Sequence, residues 1–343
     1  MKKVLLIIFS AIVLCGCGDI VYSNTDIMLP LFSTNSNNEN KIWIGTFQLV
    51  FNDIKNNIIR RNVVFENEAP SEELKGLNAQ EFNASMLNEE SYYTSWGKTS
   101  FEERNKIKKD IKQKFNETSD IIDKLDWTPY EGRYYAYAML KKLFEFPFEF
   151  DILKPSKFNN SKGDYQYFGI NNASNEKLNR NVDVLFYNDE NDYAVQLNTK
   201  SGDIIYLYRT DDNKSLKELY ENMINKEEKY NGDRYFADID TLKVPNMKFN
   251  KIREYDELCN KVIKGTNFYF SKAIETLQFE LDNKGGKVKS EAVIMLDNAA
   301  AVEEEVKPRH FNFDKTFSMF LIDANKKDPY MALRVYDLNE FTK

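Results

Sequence analysis

Residues 267–286 read NFYFSKAIETLQFELDNKGG, residues 287–307 read KVKSEAVIMLDNAAAVEEEVK, and residues 308–335 read PRHFNFDKTFSMFLIDANKKDPYMALRV. The two outer pieces carry a strand signal. Phe268 and Phe270, then Leu277, Phe279 and Leu281, alternate with polar neighbours. Phe311, Phe313, Phe317, Met319, Phe320, Leu321 and Ile322 form an aromatic-rich run closed by a polar turn. The middle piece differs. Gly285 and Gly286 make a hinge, and some twenty residues follow without turn chemistry before Pro308. A connection of that length inside a compact domain is functional or disordered.

The order of these pieces resembles the C-terminal third of a serpin. In that family a strand leads into a glycine hinge and an exposed reactive-centre loop. An Asn/Asp-Lys-Pro-Phe strand and a Pro-Leu-Phe-Met-Gly-Arg-Val strand then follow. Here those places are taken by Phe313-Asp314-Lys315-Thr316-Phe317 and by Pro329 to Val335, with Thr316 in place of the proline and Leu333 in place of the glycine. Leu242 to Phe249 (LKVPNMKF) fills the place of the family's Val-Pro-x-Phe strand. Trp43 to Leu49 and Ala138 to Phe148 resemble two N-terminal segments of the family more loosely, so the resemblance is best over about 182–336. It implies an α+β fold: helices packed on a large mixed or antiparallel sheet, with smaller sheets and an exposed loop at 287–307.

The resemblance also implies a mechanism that the sequence can test. After a protease cuts the loop, the segment beyond the hinge enters a sheet as an extra strand, and a strand buries every second side chain. From Gly286 the inward set is Gly286, Val288, Ser290, Ala292, Ile294 and Leu296, and it holds no charge. Lys287, Lys289 and Glu291 fall on the outward face. Residue identity departs from the family's alanine-rich hinge and argues against inhibition, whereas alternation admits insertion. An ordinary amphipathic strand would give the same pattern. Counting from the hinge and back from the Phe317 strand places the scissile bond among Asn298, Ala299, Ala300, Ala301 and Val302. Small side chains there suit a protease with a shallow, elastase-like pocket.

Residues 1–16 (MKKVLLIIFSAIVLCG) have two lysines, an apolar run and small residues, the plan of an export signal too short to span a bilayer as a stable helix. Leu14-Cys15-Gly16-Cys17 resembles a bacterial lipobox, which makes Cys17 the lipidated residue and the mature N-terminus. A lipid-anchored, extracytoplasmic location at the bacterial membrane or cell surface is expected, with 17–40 as a flexible tether and 41–343 as the folded domain. Loss of Lys2 and Lys3 takes the net charge from −7 to −9. So acidic a chain argues against nucleic acid and against docking on anionic lipid by charge. Cys259 is then the one free thiol, without a disulfide framework, and is expected on the buried side of a short helix in Tyr255–Ile263.

Twenty-five Phe and twenty Tyr exclude a disordered chain. From Lys41, Ile44, Phe47, Val50, Phe51, Ile54 and Ile58 fall at helical spacing. Ser100 with Glu103 predicts a capped helix to about Leu125, and Ser215 with Glu218 another. Between them YQYFGI, VDVLFY, YAVQL and IIYLYR read as strands joined by Asn, Asp and Gly turns.

The chemistry-bearing inventory is thin. A Ser-His or Cys-His pair would have to use the one histidine, His310, with Cys259 the only free thiol, and their neighbours suggest structural roles. No phosphate-binding glycine motif, zinc-ligand spacing or spaced calcium loop occurs, so neither a cofactor nor a metal is expected. The chain is expected to be no enzyme but a monomeric bait whose partner is a protease. Two other readings stay open: a serpin-like binding module whose loop does not insert, and a structural or adhesive lipoprotein.

Overall fold

A computed structural model describes residues 21–159, 161–286 and 308–342. In chain order it holds β1 (Ser23–Asn24), β2 (Lys41–Ile44), α1 (Thr46–Asp53), α2 (Glu72–Ala79), β3 (Tyr92–Lys98), α3 (Phe101–Phe115), β4 (Tyr134–Leu140) and β5 (Phe144–Glu145). Then come β6 (Asp151–Lys157), β7 (Asp164–Ile170), β8 (Val182–Asp189), β9 (Asp192–Asn198), β10 (Ile204–Arg209), α4 (Leu216–Lys229), β11 (Thr241–Pro245) and β12 (Met247–Glu254). The chain closes with β13 (Ile274–Leu281), β14 (Gly285–Gly286), β15 (His310–Asn312), β16 (Phe317–Ile322) and β17 (Pro329–Val335).

The expected α+β class is borne out. The largest sheet has six antiparallel strands in the order β2-β17-β16-β10-β9-β8. Every residue of β16 and β17 is buried, because both faces of these inner strands are covered, and that is why the sequence shows them as continuous apolar runs. A four-stranded sheet, β15-β11-β7-β6, abuts it. The predicted strand Leu242–Phe249 serves two sheets, for the chain leaves β11 at Pro245 and enters β12 at Met247.

Several expected boundaries move. Lys41–Ile44 is a fully buried strand and not the start of a helix, since its backbone pairs with Met331–Arg334 of β17. The helix begins only after Gly45, where a side chain would meet the Phe82 ring at 2.1 Å. The helix capped by Ser100 stops at Phe115, because Asn116 takes a left-handed turn with φ 51°. Ser215 and Glu218 form both bonds of the predicted capping box. Tyr255–Ile263 is not a helix beyond one short turn at Asp256–Leu258, and Cys259 is buried in bridged, extended backbone. From residue 21 on, the stretch expected as a tether belongs to the body: Met28, Leu29 and Leu31 are buried, and Met28 bridges Ile42.

Candidate functional site

Two small sheets face each other without joining. One is the ribbon β3–β4, paired from Tyr92↔Leu140 to Lys98↔Tyr134. The other is β1-β12-β13, in which β12 and β13 pair over eight residues. Among the described residues no ladder links β4 to β13. Both strands run toward one head, where β14 pairs antiparallel with β5 (Gly285↔Glu145, Gly286↔Phe144). Below that head lies a cleft of about 1690 Å³, bordered by β4 and β13. An unpaired strand edge exposes a row of backbone donors and acceptors, and two facing edges make a slot for a strand.

The faces of the slot follow from side-chain phase. On β13, Glu275, Leu277, Phe279 and Leu281 point inward, toward α1. On β4, Tyr135 and Tyr137 point outward, into a satellite core with Ile107, Ile111, Ile122 and Trp127. Ala136 and Ala138 are left on the α1 side, where small residues let the helix lie close. Helix α1 is therefore the floor. The roof is the segment 117–127 that follows α3, and Ser119, Asp120 and Trp127 line the cleft from it. Trp127 Nε1 donates to the Ile122 carbonyl at 2.7 Å and so folds the roof back on itself.

Glu275 is the one charged residue on the inward face of β13, and it is 4% exposed. Its carboxylate accepts from Thr46 Oγ1 (2.7 Å), the Phe47 N–H (3.0 Å) and the Tyr255 hydroxyl (2.8 Å). Burial nevertheless pushes its carboxyl up to about 7, against those three bonds. Glu275 thus fastens the β13 bank to the first turn of the floor helix.

The head is held as firmly. Gly285 has φ +132°, and a Cβ there would sit 2.2 Å from the Phe144 carbonyl oxygen, so this position needs glycine. Lys142, between β4 and β5, bonds Asp203 and Asp323 at 2.7 Å each and ties the ribbon to the six-stranded sheet. On the far side of 287–307 the chain is pinned again. Arg309 donates to the buried Asp240 carboxylate at 2.7 Å and to the Asp233 carbonyl at 2.7 Å, and β15 pairs parallel with β11.

Of the residues singled out in the sequence, Gly285 and Gly286 sit at the head of the slot. Val288, Ser290, Ala292, the window Asn298 to Val302, and Cys17 lie outside the described residues. His310 Nδ1 lies 2.9 Å from Thr241 Oγ1, and the buried Cys259 thiol donates to the Tyr255 carbonyl at 3.5 Å. The two form no pair with each other. Among the described residues no cluster of His, Cys, Asp or Glu could hold a metal ion. Sequence reasoning missed Glu275 and the roof. Glu275 did leave a signal, for it falls in phase with Leu277, Phe279 and Leu281.

No family model matches the sequence, and no curated protein does. Solved structures resemble the fold. Serpin48, a highly specific serpin of the insect Tenebrio molitor, is 11% identical with a TM-score of 0.46, over 86% of this chain and 91% of that one. Thyroxine-binding globulin in complex with thyroxine is 10% identical with a TM-score of 0.48, over 89% and 93%. Human glycosylated kallistatin is 11% identical with a TM-score of 0.47, over 89% and 92%. Each is a likeness of fold.

Proposed function

We propose that this chain is a lipid-anchored, extracytoplasmic inhibitor of a protease that offers 287–307 as bait and responds to cleavage by inserting a strand. The protease's own nucleophile attacks a carbonyl between Asn298 and Val302, the amide nitrogen leaves with a proton, and an acyl-enzyme forms. This chain supplies no catalytic group. Its work is mechanical: the freed segment beyond Gly286 turns back into the slot between β4 and β13 and runs antiparallel to both.

The observation that carries this reading is the slot itself, with two edges that no other described strand pairs, converging on the Gly285–Gly286 pair that leads into 287. Lengths agree. Ten extended residues, 287–296, reach about 33 Å, against about 26 Å for the eight residues of β13. Inward Val288, Ser290 and Ala292 bring no charge over α1 and its apolar surroundings. Insertion would add roughly ten backbone hydrogen bonds at about 1 kcal/mol each, enough to drive an irreversible change. The anchor at Cys17 and the extracytoplasmic location rest on the export signal and its Leu-Cys-Gly-Cys end. A small-residue window points to a protease with a shallow primary pocket.

The test is limited proteolysis of the chain lacking residues 1–17, with thermal melting of the intact and nicked forms. A cut within 298–302 that raises the melting temperature by on the order of 10 °C or more is the expected result. Ser290→Arg should cut equally well and lose the rise. A cut with an unchanged or lower melting temperature would overturn insertion and leave a binding module.

A further inference from the structure

The N-terminal segment reaches the cleft from an unexpected side. Ser23 and Asn24 pair parallel with Lys251 and Ile252 along the outer edge of β12, and the Thr25 N–H donates to the Ile252 carbonyl at 3.0 Å. This places Tyr22 over the outward face of β13. Its hydroxyl donates to Asp120 Oδ2 at 2.6 Å, and Gln278 Nε2 donates to the same carboxylate oxygen at 2.9 Å and to the tyrosine oxygen at 2.5 Å. Asp120 belongs to the roof. Gln278 stands on the outward phase of β13, opposite Glu275 and the floor helix. Lys124, also in the roof, lies over the Tyr22 ring at 5.7 Å.

The roof's other polar ties lie on the opposite bank. Ser119 bonds the Tyr137 hydroxyl at 3.3 Å, Glu117 pairs with Lys141 at 2.7 Å, and Asp123 pairs with Arg104 and Lys108 of α3. Among the described residues, the side-chain hydrogen bonds that carry the roof across to β13 converge on Asp120. Burial pushes the Tyr22 phenol well up, so it stays a donor to that carboxylate at any physiological pH.

We propose that Tyr22, Asp120 and Gln278 form a clasp that fastens the roof over the slot, so that the N-terminal segment sets how readily a strand enters between β4 and β13. The clasp itself is independent of the inhibitor reading, but its effect on strand entry rests on it. A strand in the slot passes beneath the roof, and its outward side chains displace whatever crosses there.

The test compares the full-length protein with its Tyr22→Phe and Gln278→Ala variants, in detergent micelles. Two quantities are read: hydrogen exchange of peptides from 117–127, and the time a nicked sample takes to become heat-resistant. Tyr22→Phe keeps the ring and removes only the hydroxyl. Exchange in the roof should rise on the order of 10- to 100-fold, as for one lost hydrogen bond to a charged group, with β16 peptides unchanged. Heat resistance should appear faster by a similar factor. Unchanged roof exchange in both variants would overturn the clasp. Faster exchange with an unaltered time to heat resistance would overturn its role as a barrier. Faster exchange with no heat resistance in any nicked form, wild type included, would keep the clasp and overturn the insertion reading instead.

Discussion

On one bank of the cleft, β13 is paired along its length with β12, sends Leu277, Phe279 and Leu281 into the main core, and is tied by Glu275 to the floor helix. On the other bank, β4 turns Tyr135 and Tyr137 away from that core into a cluster shared with α3 and the roof. The first bank is part of the body. The second is a module with its own small core, joined to the body through the alanine face on α1, Lys142 and the β5–β14 head. Under the proposed insertion the slot would need one bank that holds and one that can shift. The partition of the apolar side chains into separate cores supplies that asymmetry.

The sharpest way to break this comparison is to remove the centre of the satellite core. Trp127 is 3% exposed, and Trp127→Ala should cost about 3–5 kcal/mol. If the ribbon is a separate module, hydrogen exchange should accelerate throughout 101–140 while β16 and β17 stay protected. Acceleration spread evenly over the chain would show that the two banks are one unit.

The next effect tests the fixed bank through pH. In the fold Glu275 keeps its proton up to about pH 7, whereas an unfolded glutamate releases it near 4.5. The stability it contributes is present below about 4.5 and lost as pH rises through about 7. Wild-type melting should therefore fall between pH 5 and pH 8, by on the order of 3 kcal/mol at most from this group. Glu275→Gln, which keeps the shape and an acceptor for the Phe47 N–H, should flatten that slope. An unaltered slope would place the pH dependence elsewhere.

The smallest of the three concerns the joint between the banks. Gly285→Ala would place a methyl against the Phe144 carbonyl at a left-handed φ and should cost about 1–3 kcal/mol. Urea unfolding measures the loss, and protection of the Phe146 amide, which donates to the Lys284 carbonyl at 2.9 Å, should fall with it. Normal protection there would mean that the head is held by Lys142 alone.

Much of the body was legible in the sequence, because buried strands and capped helices leave local marks. β16 and β17 read as apolar runs, and α4 announced itself through Ser215 and Glu218. The start of α1 was misread because Ile44 and Phe47 satisfy helical spacing as well as a buried strand followed by a turn does. The slot was legible only at its hinge. Its floor, roof and clasp bring together residues 98 and 158 positions apart, as Tyr22 and Gln278 meet Asp120. Nothing in the polar run around Asp120 says what it lies over. Side-chain phase was the one long-range clue, and it pointed to Glu275 as an inward charge.

Strands β16 and β17 hold the two sides of 287–307 together. These strands come from the chain beyond 307, yet they lie inside the six-stranded sheet, with β2 on one side and β10 on the other. A break anywhere in 287–307 would divide the polypeptide into two pieces that cannot part without dismantling the largest core. The severed protein would remain one particle, a non-covalent heterodimer of its own fragments. Whatever was attached to the new end of the longer fragment would stay with the rest of the molecule.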